Sequence, residues 1–369
     1  MRNPVLALFW ALLLAAGIVL AGCVAYLPGL SPPITYPRIV PAEGQFPDLV
    51  LTHTFLFGDG QVTLTMPVDQ SVYRGAKEAG KTATIYDDAI PDAEWKAGLY
   101  RTMIDDPAQE QFYTTFLSAL RTVKKEQNLD SDSYLELIAV SVQSIAYNTV
   151  KENDPKYPIE TFVDGDGDCD DKSMLLAGLL AREGYAVALL YFEPENHMAV
   201  GVACSGYSYR GTGYAFLEST NVTLVGVSEG SLDGNVTLDS VPLVIPIGNG
   251  TTGYLSCDET RALWEEVERL RAGTNLLEEE LKPREAELER IRTDLNELEA
   301  AMDHVKALGQ VREYNRMVSV YNEKARAYNT LLAEYRPVSA EYAMLADRHN
   351  YIITHQYDRQ GTYRTIFGS

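Results

Sequence analysis

One cysteine in this chain sits where a thiol could act as a nucleophile. Asp164-Gly-Asp-Gly-Asp168-Cys169-Asp170-Asp171-Lys172-Ser173 runs from a Gly/Asp loop into the helical pattern Met174-Leu-Leu-Ala-Gly-Leu-Leu-Ala-Arg182. Cys169 therefore falls at or beside a helix N-terminus, where the positive end of the helix dipole favours thiolate over thiol. Leu176 and Leu180, seven and eleven positions on, share its face, so the sulfur should point inward along a packed surface. The surrounding carboxylates oppose thiolate formation, so the thiol needs a base partner. His197 is the candidate base, and Glu218 the acid that would fix its tautomer and orientation. In that arrangement His197 pairs with Cys169 and later protonates a leaving amine. His53, His304, His349 and His355 have no comparable setting.

Three strands must place these groups. Tyr185 to Phe192 is a continuous apolar run, Glu193-Pro-Glu-Asn196 a turn, and His197 to Cys204 a second strand. In that strand His197, Ala199, Gly201 and Ala203 share one face, small beyond the histidine, which is expected to leave room for the Cys169 helix. Tyr214 to Ser219 is a third strand with Glu218 near its end, and adjacent antiparallel strands can set His197 beside Glu218. Further upstream, Val50–Phe57 and Gln61–Met66 flank Gly58-Asp59-Gly60 as a hairpin. Helices are expected over Pro107–Leu129 and Ser131–Lys151, followed by a loop from Asn153 to Asp168.

Gly167-Asp168-Cys169 at a helix start, His197 opening a strand and Phe216-Leu-Glu218-Ser-Thr220 in the next resemble the transglutaminase-like cysteine proteins. Tyr157-Pro-Ile-Glu-Thr161 is similar to the lead-in of prokaryotic members, so the resemblance covers about Tyr157 to Thr220. Many members carry Asp where this chain has Glu218. The resemblance implies an α+β, papain-like core with the Cys-bearing helix packed on an antiparallel sheet. It also implies acyl transfer to or from peptide or protein amides through a thioester. Members include crosslinkers, peptidases and inactive binding domains.

Other chemistries fit less well. Asp164, Asp166 and Asp168 match the first three ligands of an EF-hand loop, but Cys169 and Leu175 stand where Gly and Glu are required. A different calcium cage from Asp164, Asp166, Asp168 and Asp170 is the remaining metal candidate; no other cofactor is expected. Gly226-Val-Ser228-Glu-Gly230 matches a serine elbow, yet a turn follows it rather than a helix. No Cys/His cluster has zinc-ligand spacing.

The net charge of -21 argues against nucleic acid as partner, and 46% hydrophobic residues permit a substantial core. Arg2, the apolar run Val5–Ala21 and Leu20-Ala21-Gly22-Cys23 read either as a lipoprotein signal with Cys23 lipidated or as a membrane-spanning helix. Both readings put the rest of the chain outside the cytoplasm, at the cell surface or in the periplasm, tethered to a membrane. Cys204 and Cys257 remain as either a disulfide or two free thiols, and Asn221, Asn235 and Asn249 head candidate glycosylation sequons.

After Cys257 the pattern changes. Leu281, Leu288, Leu295 and Met302 repeat every seven residues, as do Tyr314, Tyr321, Tyr328, Tyr335 and Tyr342. Such heptads predict a coiled-coil helical hairpin reversing at Gly309, able to mediate self- or hetero-association. The expected order is an anchor (1–27), a Pro-rich spacer (28–48), the transglutaminase-like domain (49–255), the coiled-coil hairpin (258–350) and a tail (351–369). Two functions follow: a thiol hydrolase or acyltransferase, or a weak or inactive peptide-binding scaffold.

Overall fold

In the computed structural model, residues 33–148, 154–227 and 237–368 are described. The N-terminal apolar run, Cys23, Ser228 and Asn235 lie outside these residues. No helix among the described residues is long and apolar enough to cross a membrane.

The elements run β1 (Ile34–Thr35), β2 (Leu49–Phe57), β3 (Gly60–Val68), α1 (Gln70–Glu78), β4 (Thr84–Ile85), α2 (Asp92–Ile104), α3 (Glu110–Glu126) and α4 (Ser131–Gln143). Next come β5 (Ala146–Tyr147), α5 (Pro158–Asp164), β6 (Asp166–Gly167), α6 (Cys169–Arg182), β7 (Val187–Phe192), β8 (His197–Ala203), β9 (Tyr214–Leu217) and β10 (Leu243–Ile247). Two long helices, α7 (Cys257–Ala307) and α8 (Val311–Thr354), precede the short α9 (Arg359–Phe367). The fold is thus mixed α and β, with antiparallel sheets and long C-terminal helices.

The main sheet has the order β10-β7-β8-β9, every pair antiparallel. Helix α6 packs on it and is enclosed on its other sides by α2, α4 and α5. Met174, Leu175, Leu176, Leu179 and Leu180 are each 0% exposed, which explains a helix apolar all round. Each such side chain contributes roughly 1.5–3 kcal/mol of burial.

The helix lies on the sheet face opposite to the expected one. Met198, Val200 and Val202 share the core that contains Leu176 and Leu180. Ala199 instead joins a separate cluster with Leu190, Phe192, Tyr209, Phe216 and Leu238 on the far face. There the small residues admit aromatic rings: a Cβ on Gly201 would come within 2.8 Å of the Tyr214 Cβ.

Residues 33–48 are not a free spacer. Ile34–Thr35 pairs with Thr84–Ile85, Ile39 is buried, and the Ile39 amide donates to Asp106. Extended, proline-stiffened backbone suits lying along a surface as well as projecting from one. Helix formation after Ser131 stops at Gln143 rather than Lys151. Lys172 takes the Gln143 and Ile145 carbonyls, and Ala146–Tyr147 turns away to pair in parallel with Asp166–Gly167. The expected loop from Asn153 contains α5, whose first helical residue is Pro158.

Helices α7 and α8 run antiparallel, linked through Leu308–Gln310 with Gly309 at φ +70°. At 1.5 Å per residue they are roughly 75 Å and 65 Å long. Leu281, Leu288 and Ile291 are buried in their seam, while the tyrosine series is half-buried. Leu263, Val267 and Leu270 at the base pack with Leu224, Val227, Ile352 and Ile366. A disulfide joins Cys204, just past β8, to Cys257, the first residue of α7. Residues 351–368 complete α8 and add α9, which returns to the domain through the buried Arg359 and its partners Glu136 and Glu259.

Candidate active site

The approach to Cys169 is set by two glycines. Gly165 ends α5 in the left-handed region, φ +71°, which turns the chain into β6. At Gly167 a Cβ would meet Asp171 and Thr161 at 2.9 Å, so the strand can pass this close to α6 only without a side chain. Asp171 accepts from the Asp168 amide at 3.2 Å and the Lys156 amide at 2.6 Å, tying the first turn of α6 to the loop before it. Cys169 is then the first residue of the helix.

The sulfur meets the start of β8. Its S–H donates to the Asn196 carbonyl at 3.9 Å, and the Met198 amide N–H faces it. Both residues flank His197, although no hydrogen bond joins Sγ to the imidazole among the described residues. His197 opens β8 opposite Phe192, with the two rings 6.3 Å apart. Its Nε2 lies 3.2 Å from Glu218 Oε2, so Nδ1 is the ring nitrogen left to serve the thiol. Continuing the Val200–Leu217 register one step sets Glu218 across from Ala199, on the same sheet face as His197.

Glu218 is 3% exposed and its other oxygen is fully engaged. Oε1 accepts from the Ser219 amide at 2.8 Å, the Thr220 amide at 2.9 Å and Thr220 Oγ1 at 2.9 Å. Burial works to raise its pKa, but the His197 contact and the Thr220 donors outweigh it and hold the carboxyl below its ordinary range. Cys169 is shifted the other way: burial pushes the thiol well up, and the Asp170, Asp168 and Glu218 charges add to it. Burial and the neighbouring Asp168 likewise raise Asp170 far above its usual value. Burial, with the Asp168 charge next, lifts Asp171 to about 7.

The candidate calcium carboxylates are not gathered into one cage. Asp164 pairs with Lys77 and Lys156 and accepts from the Tyr73 hydroxyl; Asp166 also pairs with Lys156. Asp168 and Asp170 lie instead beside Cys169, all three donor atoms within 4.8 Å of one another. Two carboxylates and a thiol do not match the six to eight oxygens that calcium takes. Asn221 and Asn249 are exposed, as sequon asparagines must be.

Several residues around the site carried little sequence signal. Tyr100 of α2 and Tyr191 of β7, with rings 6.1 Å apart, have their hydroxyl pKa values raised by burial and by the nearby Asp170. Nothing local marks Tyr100, because α2 reaches the site through tertiary packing on α6 and β10 and through the Lys96–Glu193 ion pair. Lys172 and Ser173 did leave a trace, as polar residues directly before the apolar run Met174–Ala181. Comparison with known protein families, characterised proteins and solved structures yields no match to this chain.

Proposed function

We propose that the protein is a membrane-tethered, extracytoplasmic cysteine hydrolase or acyltransferase of the transglutaminase-like type, with a papain-like core, acting on peptide or protein amides. The carrying observation is the His197–Glu218 contact of 3.2 Å at the start of β8, where the Asn196 carbonyl and the Met198 amide on either side of His197 also meet the Cys169 sulfur. In this reading the thiol proton passes to His197 Nδ1, and Glu218 steadies the imidazolium through Nε2. The thiolate attacks an amide carbonyl, the C–N bond breaks, and His197 protonates the departing amine. The thioester is then opened by water or by a second amine, with His197 as base. The Cys169 amide at the helix N-terminus is a suitable donor to the oxyanion.

A second reading, a weak or inactive peptide-binding scaffold built on the helical hairpin, has its own support. Burial and three carboxylates hold the Cys169 thiol protonated, and its S–H rests on a carbonyl rather than on the imidazole. p-Nitrophenyl acetate separates the two readings. Acyl transfer predicts nitrophenolate release that Cys169→Ala abolishes and His197→Ala reduces by roughly 10²–10⁴. Release identical in wild type and Cys169→Ala favours the scaffold.

A further inference from the structure

We infer that Lys172 is a positioning residue of this site, its ammonium tying the Cys169 helix to the turn that carries Glu218. The inference rests on the acyl-transfer reading given above. Lys172 lies three residues after Cys169 in the first turn of α6 and is 0% exposed. Its ammonium donates to the Ile145 carbonyl at 2.7 Å, the Thr220 carbonyl at 2.9 Å and the Gln143 carbonyl at 3.0 Å. An ammonium has three N–H donors and a neutral amine two, so only the charged form serves all three carbonyls.

Two of these acceptors close the end of α4, where carbonyls lack partners within the helix. The third belongs to the Ser219–Thr220 turn, whose amides and hydroxyl hold Glu218 Oε1. Gln143, held through its carbonyl, donates its side-chain amide to the Glu218 carbonyl at 2.7 Å. The next residue extends the tie: Ser173 Oγ donates to the Met198 carbonyl at 3.1 Å and meets Ser219 Oγ at 2.9 Å. Consecutive residues of the thiol's own helix therefore grip the strand after His197 and the turn after Glu218. Methionine would fill the same space without desolvating a charge, so packing alone does not account for a lysine here.

The test is the pH profile of Cys169 alkylation by iodoacetamide in the full chain, for wild type, Lys172→Met, Thr220→Val, Glu218→Gln and the Lys172→Met/Glu218→Gln pair. Lys172→Met should raise the midpoint of labelling by about one pH unit and slow it about tenfold at pH 7. Because Lys172 acts through Glu218, adding Lys172→Met to Glu218→Gln should change the rate by less than about twofold. Thr220→Val, which keeps the lysine contacts and removes one donor to Glu218, should shift the midpoint in the same direction.

A folded Lys172→Met with the wild-type profile overturns the inference, as does an undiminished tenfold effect in the Glu218→Gln background. Should Lys172→Met fail to fold, Lys172→Gln, whose neutral amide cannot give three N–H groups to the three carbonyls, decides, and an unshifted profile there overturns it. An ordinary-thiol profile in the wild type overturns the acyl-transfer reading itself, and this inference with it.

Discussion

Replacing Glu218 with Gln should disable the site while leaving its shape almost unchanged. The two oxygens of Glu218 have different duties, Oε1 receiving three donors and Oε2 facing His197. A glutamine amide must put its oxygen where the three donors converge, because reversing it would set an NH₂ against two amide N–H groups. Its NH₂ then faces His197 Nε2, which must accept, and the imidazole proton moves to Nδ1. That tautomer cannot take the thiol proton. The loss combines a charge-assisted hydrogen bond of about 1.5–3 kcal/mol with the wrong tautomer, so a fall of roughly 10²–10⁴ in acyl transfer is expected. The assay is nitrophenolate release at pH 7, with thermal unfolding as the check on folding. A folded Glu218→Gln protein within threefold of wild type would overturn both the tautomer assignment and the role given to Glu218.

Three further predictions concern charge and covalent structure. Glu136 has 13% of its side chain exposed, and burial raises its carboxyl to about 7 despite Arg359. The folded protein then binds a proton that the unfolded chain has lost, so this contribution to stability declines as pH rises between about 4.5 and 7. Wild type should lose up to about 3 kcal/mol more than Glu136→Gln between pH 5 and 8 in urea unfolding; parallel curves would contradict this. The Cys204–Cys257 disulfide spans 53 residues of sequence, and replacing both by Ser should cost about 4 kcal/mol on the chain-entropy model. A urea midpoint unchanged by that replacement would rule out a stabilising role. Asn caps a helix about as well as Asp, so Asp168→Asn should keep α6 and remove one of the charges that, after burial, hold the thiol up. Alkylation at pH 7 should quicken roughly threefold to tenfold, and a slower rate would argue against that electrostatic picture.

What the sequence makes legible here is local. The heptads of Leu281, Leu288 and the tyrosines need only the helical period to be read, and the two long C-terminal helices follow from them. The His197–Glu218 contact is within reach because it asks only that two short strands be neighbours. The face on which α6 lies is not, since both faces of β8 are apolar and the choice is made by Phe192, Tyr209 and Phe216 filling the other side. Strand β10 joins the sheet from fifty residues beyond β7, and Leu243–Ile247 is too short a run to announce itself. The return of α9 turns on one arginine finding Glu136 and Glu259 across separations of 223 and 100 residues, a pairing with no local pattern. Prolines between 33 and 48 signal extended backbone correctly but carry no word of what it lies against.

A proton shared between Cys169 and His197 is what the proposed mechanism needs, and the rate of Cys169 alkylation against pH reads it out. Iodoacetamide labelling resolved by peptide mass spectrometry, in wild type and His197→Ala, separates this thiol from the other cysteines. Burial and three carboxylates oppose a lone thiolate here, so reactivity below about pH 7 requires the imidazolium partner. Labelling should persist below pH 7 in wild type and collapse in His197→Ala. Labelling that rises only near pH 8.5 or above and ignores the substitution would contradict it.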